Sequence, residues 1–95
     1  MPKGYLIAHI RVQDKEAFEE FKQLSGAAIK AHNGKVLVRN PNPDHREGAA
    51  QGLAIVIEFE SLQAAQAFYD SQAYSEARAV REKISETDLV LAEGL

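Results

Sequence analysis

Apolar and polar positions alternate along the first stretch of the chain. In YLIAHIRV (5–12), Leu6, Ala8, Ile10 and Val12 fall on one face, and Tyr5, Ile7, His9 and Arg11 on the other, the period of two that marks a strand. The first face is purely apolar. The period then changes: Asp14 offers a side-chain oxygen as an N-cap, and Phe18, Phe21, Leu24, Ala28 and Ile29 recur at helical spacing. That helix is predicted to stop at His32-Asn33-Gly34, with the glycine supplying the left-handed residue. Three more short runs, KVLVR (35–39), LAIVIEF (53–59) and DLVLAE (88–93), are Leu-rich or β-branched and bounded by Gly, Pro or Asp, so each reads as a strand. Between the first two lies NPNPDHREGAAQG (40–52), a polar loop whose prolines and glycines forbid regular structure. A loop of that length is expected to cover something.

The remaining stretch, FESLQAAQAFYDSQAYSEARAVR (59–81), is rich in alanine and helical, with an interruption. Ser61 is placed to cap a helix whose inner face is Leu62, Ala64, Ala65, Phe68 and Tyr69. Asp70 and Ser71 bond their own backbone better outside a helix than within one, so the helix ends there. Ser71 then caps a second short helix carrying Tyr74, Ala77, Arg78 and Arg81. The break is a bend that lets one connection cover a sheet in two pieces.

The element order is β-α-β-β-α-β, which defines an α+β, ferredoxin-like domain with a four-stranded antiparallel sheet and its helices on one face. The first and third strands are central in that topology. The other sheet face has no cover from its own chain, yet LAIVI and LVLA leave aliphatic side chains there whichever way they face. An exposed apolar sheet face marks an interface. The expectation is a homodimer in which two sheets pack face to face into a barrel, with the helices outside.

Composition narrows the picture further. At 95 residues the chain is a single domain, 1–95, of a size that buries only roughly 60 to 68% of its surface on folding. With 45% hydrophobic and 26% charged residues it has the balance of an ordinary globular domain. It has no cysteine, which excludes disulfides and thiol catalysis. A net charge of −3 without a Lys/Arg cluster gives no electrostatic footprint for nucleic acid or anionic lipid. The longest apolar run, LAIVI, is far too short to span a bilayer, and the first residues form neither a signal peptide nor a transit peptide. A cytoplasmic protein without nucleic-acid or membrane partners is therefore expected.

GYLIAHIRV followed by DKEAF, then HNGKVLVR, VIEFESLQAAQAFYDSQAYSEARAVR and DLVLAEG, resemble in that order the small bacterial family called domain of unknown function 1330. That family is similar in fold to the dimeric α+β barrel superfamily. The resemblance implies a ferredoxin-like monomer and a barrel dimer, and it assigns no activity. Superfamily members include cofactor-free oxygenases, haem-degrading enzymes, isomerases and non-enzymatic stress proteins, so fold alone does not select a function.

Among chemistry-bearing residues, His9, Glu58 and Arg39 are the most suggestive set. Alternation puts all three on the barrel face, where an imidazole, a carboxylate and a guanidinium lined up across neighbouring strands would make a general base and an anion clamp. The same trio would also serve as an ion-pair network closing the barrel. Tyr74, Arg78 and Arg81 share a helical stripe, suited either to gripping an anion or to Arg-on-Tyr surface packing. Tyr69 and Tyr5 are further candidates to line a cleft, or packed rings with satisfied hydroxyls. His32 fits a helix C-terminus and His45 a solvated loop; without short metal-ligand spacing, no metal is expected. Serine-nucleophile and nucleotide-loop motifs are absent, and no cofactor is implied. Two function classes remain: cofactor-independent acid-base chemistry on a bound small organic anion, with His9 and Glu58 as catalytic candidates and Arg39, Tyr69, Tyr74 and Arg78 as ligand contacts, or a non-enzymatic binding or stress-related dimer.

Overall fold

The computed structural model describes residues 2–95. Its elements are β1 (Gly4–Val12), α1 (Lys15–Ala31), β2 (Lys35–Asn40), β3 (Leu53–Phe59), α2 (Leu62–Tyr69), α3 (Gln72–Ile84) and β4 (Ser85–Glu93). The four strands form one antiparallel sheet in the order β2-β3-β1-β4, so the first and third strands are central. This is the ferredoxin-like arrangement, with the second helical region divided in two.

Each helix start is fixed by the side chain that the sequence pattern predicts. Asp14 Oδ1 accepts from the Ala17 N–H at 3.1 Å, Ser61 Oγ from the Ala64 N–H at 3.0 Å, and Ser71 Oγ from the Tyr74 N–H at 3.1 Å. Each satisfies one of the donors that a helix N-terminus leaves free. The stop of α1 differs in detail from the expectation. Asn33, not Gly34, takes the left-handed conformation, with φ of 57°. Gly34 is required by space instead, because a Cβ there would stand 2.8 Å from the Phe59 ring and 2.9 Å from Ile29 Cγ2.

Strand β4 also begins at Ser85 rather than at 88, directly from the end of α3. Ser85 is already extended, its hydroxyl donates to the Arg81 carbonyl at 2.7 Å, and its backbone sits opposite Val12 in the ladder. The helix-to-strand change is thus made without a loop.

The core lies between the sheet and the helices. Leu6, Ala8, Ile10, Ile57 and Phe59 from the sheet meet Phe18, Phe21, Ala28, Ile29, Ala65, Phe68, Tyr74 and Ala77 from the helices, all buried. α2 lies over β1, β3 and β4, while α1 runs along α3. Strand β2 overhangs this cover, and every residue in it is exposed. On the opposite face no helix of the described residues packs. There the ladder aligns Val38, Val56, Ile7 and Val90 in one row across all four strands.

Candidate functional site

The covered face of the sheet and helices α1 and α3 enclose a cavity of about 40 Å³. One water requires roughly 10–15 Å³ on this scale, so the space admits a small group rather than a single solvent molecule. Its floor is Leu6, Ala8 and Ile10 of β1 with Leu53, Ile55 and Ile57 of β3 and Leu89 of β4. The ladder places Ala8, the smallest of these, between Ile55 and Leu89. A one-carbon side chain at the middle of the floor leaves room above it. Phe18, Phe21, Ser25 and Ile29 of α1, at helical spacing, form one wall, and Tyr74 and Arg81 of α3 the other.

Arg81 is the unusual member. It is only 5% exposed, and its guanidinium lies 5.8 Å from the Phe21 ring and 5.9 Å from the Tyr74 ring. Nη1 donates to the Tyr74 hydroxyl at 2.9 Å, whereas Nε is buried with no partner. No carboxylate among the described residues forms an ion pair with it. Taking a cation out of water without a counter-charge costs several kcal/mol in real proteins, roughly speaking, after relaxation. Burial pushes the Tyr74 pKa above the ordinary tyrosine value, against the opposing charge of Arg81. The phenol therefore keeps its proton at neutral pH, and since its oxygen accepts from Arg81, that proton is available to a ligand.

Arg78 and Tyr69 form a separate pair nearer the surface. Arg78 Nη1 donates to the Tyr69 hydroxyl at 2.7 Å, and its guanidinium stacks 5.0 Å from that ring. Glu82 adds an ion pair at 3.4 Å. The Tyr69 and Tyr74 rings lie 5.5 Å apart, which joins this outer pair to the inner one.

The residues expected to meet on the barrel face do not. His9 stands opposite Ala54 on β3 and Asp88 on β4, while Glu58 stands opposite Tyr5 and Lys35. His9 and Glu58 share a face but sit four positions apart along the ladder, too far for the expected contact. Glu58 instead accepts a hydrogen bond from the Tyr5 hydroxyl at 3.0 Å, which raises the Tyr5 pKa. Asp88 is engaged by Arg11 at 2.9 Å. Arg39 is on the other side of the sheet altogether. A β-bulge between Val36 and Val38 adds a residue to β2, so Arg39 pairs with Ile55 and borders the helix-side cavity. A one-residue slip exchanges the faces of every following side chain.

Of the expected ligand contacts, Arg39 and Tyr74 thus border the cavity, and Tyr69 and Arg78 lie behind Tyr74. Arg81, named only as part of a stripe, is the residue that sequence reasoning undervalued. The signal available was its spacing of seven from a tyrosine, which keeps two side chains on one helix face. Among the described residues no group of His, Asp or Glu converges to hold a metal ion, and no helix is long and apolar enough to cross a membrane.

The fold and the cavity together define a ferredoxin-like α+β domain with a cavity between helices and sheet that Arg39 and Arg81 help to line. Residues 3–95 match the family described as "Domain of unknown function (DUF1330)", and the chain belongs to it. No curated protein matches the chain. Solved structures do. A protein of unknown function from Rhodopseudomonas palustris is 16% identical with a TM-score of 0.77, over 99% of this chain and 83% of that one. A dimeric protein of unknown function with a ferredoxin-like fold from Bacteroides fragilis is 14% identical with a TM-score of 0.65, over 96% and 95%. SnoaB, a cofactor-independent oxygenase from Streptomyces nogalater, is 11% identical with a TM-score of 0.70, over 97% and 92%. At such identities the likeness is one of fold.

Proposed function

We propose that the protein is a homodimeric binder of a small organic anion, with its charged group in the cavity at Arg81 and its apolar body extending past Ile10, Phe18 and Leu53 into the adjoining open groove. The observation that carries this reading is the buried guanidinium without a carboxylate partner. An anion would supply the missing charge, accept from the free Nε, and take a further hydrogen bond from the Tyr74 hydroxyl. The cavity's largely apolar lining with few convergent polar groups is the usual composition of a small-molecule site.

Binding is favoured over acid-base turnover by the same lining. It holds no imidazole and no carboxylate, and the catalytic candidates His9 and Glu58 belong to the opposite face. The dimeric part of the reading rests on the apolar row of Val38, Val56, Ile7 and Val90 and on the description of the Bacteroides fragilis relative as dimeric.

Calorimetric titration with hexanoate, and with hexanol as the uncharged control, tests the site. Hexanoate is expected to bind and hexanol not, and Arg81→Met to weaken hexanoate by about 10- to 100-fold, the range of a charged hydrogen bond. Equal binding of alcohol and acid, or an unchanged affinity in Arg81→Met, would remove the assignment.

A further inference from the structure

Arg39 borders the cavity only because β2 is bulged. Without the extra residue at Leu37 the alternation would carry Arg39 to the open face, beside Asn40's present partner Ala54. The bulge turns it to the covered side, opposite Ile55, where it lines the cavity that also contains Arg81. Bulges recur where a strand has to re-aim a side chain.

The same residue stands at an opening. Arg39, Ile10, Phe18, Lys22 and Leu53 are shared between the cavity and an open groove of about 530 Å³, which continues past Lys15, Pro41 and Gly52. Gly52 shapes that groove with φ of +106°, and a Cβ there would strike the Ile10 carbonyl. Arg39 is exposed and Arg81 buried, so one guanidinium marks the mouth and the other the interior. Their electrostatic situations are alike in one respect. Neither forms an ion pair with a carboxylate among the described residues, whereas Lys22 at the mouth is neutralised by Glu19 at 3.0 Å. The same cavity is lined by Ile10, Phe18, Leu53 and Ile55, all apolar.

We infer that the ligand carries an anionic group at each end of a short apolar body, a linear dicarboxylate being the simplest example. Arg81 takes the inner group and Arg39 the outer one, which makes Arg39 a specificity-determining residue. This rests on the reading of the cavity as an organic-anion site and adds the second charge to it. Because Arg39 is solvated, its share is smaller than that of Arg81 and falls as salt is added.

The test is calorimetric titration of the wild type, Arg39→Gln and Arg81→Met with acids paired by chain length: succinate and butanoate, glutarate and pentanoate, adipate and hexanoate. At the fitting length the diacid is expected to bind the wild type about tenfold more tightly than its monoacid at low salt. Arg39→Gln should erase that preference by weakening the diacid more than the monoacid, while Arg81→Met should weaken both acids about 10- to 100-fold. Equal affinities in the wild type, or a preference that survives in Arg39→Gln, would overturn the second anionic group alone. If no acid binds the wild type, or if Arg81→Met binds both acids normally, the anion site falls together with it. Arg39 is an exposed residue of an edge strand, so its replacement leaves the fold in place.

Discussion

At the scale of single residues, the stripe of Tyr74, Arg78 and Arg81 shows what helical geometry decides. Residues seven apart lie about 20° from each other around the axis, whereas Arg78 is displaced about 40° from Tyr74 and about 60° from Arg81. Tyr74 and Arg81 therefore enter the core together, and Arg78 swings towards Tyr69 and Glu82. The stripe was legible in the sequence, but its division was not, because it depends on which neighbours α3 meets. If the inner pair holds its charge for an anion, the fold itself does not need that charge. Tyr74→Phe would leave the guanidinium without its hydrogen-bond acceptor and is expected to lower the unfolding free energy by about 1–3 kcal/mol. Adding Arg81→Met removes the buried cation as well, and replacing both polar partners by apolar groups of similar shape is neutral or stabilising. The double variant should then match or exceed the wild type in urea denaturation while failing to bind hexanoate. A double variant less stable than Tyr74→Phe would mean that Arg81 is there to hold the core.

At the scale of elements, local chemistry was readable and register was not. Asp14, Ser61 and Ser71 each cap the helix that their position predicts, since an N-cap depends only on residues a few places apart. The FYDS break follows from the same logic: α2 ends at Tyr69, and the Ser71 hydroxyl both accepts from the Tyr74 N–H and donates to the Phe68 carbonyl at 2.7 Å. Ser71→Ala is expected to lower stability by about 1 kcal/mol, read as a lower denaturation midpoint at unchanged slope. An unaltered midpoint would show that tertiary packing alone fixes the bend. The bulge in β2 lies beyond this kind of reading. KVLVR is three consecutive apolar residues between two cations, and nothing in it marks Leu37 as the extra residue. The misplacement of Arg39 followed from that single slip. The early start of β4 was missed for a related reason, since Ser85, Glu86 and Thr87 carry no apolar signal and take their conformation from the ladder with β1.

At the scale of the whole molecule, two sheet faces have opposite fates. One is covered by helices around the cavity, and the other leaves Val90 at 58% exposure and Ile7 at 36% in the same cross-strand row. Val38 and Val56 complete that row, flanked on one side by Lys35, Glu58, Tyr5 and Ala92 and on the other by Asn40, Ala54, His9 and Asp88. An apolar centre with a polar rim is the anatomy of a protein interface. A two-fold pairing would set this row against its own copy, so one substitution acts twice. Ile7→Asp places a carboxylate at the centre of the row without touching the helix-side core, because Ile7 points away from Leu6 and Ala8. The wild type is expected to scatter light as twice the chain mass at micromolar concentration. Ile7→Asp should scatter as a single chain with an unchanged far-ultraviolet circular dichroism spectrum, since two desolvated like charges oppose association while the monomer keeps its ladder. A wild-type monomer, or an Ile7→Asp dimer as tight as the wild type, would show that this face is not where two chains meet. The cavity gives the result a second use. Its lining lies on the helix-covered side of the sheet, opposite the face that carries Ile7, so monomeric Ile7→Asp should still bind hexanoate, and loss of binding on dissociation would place part of the site on the partner.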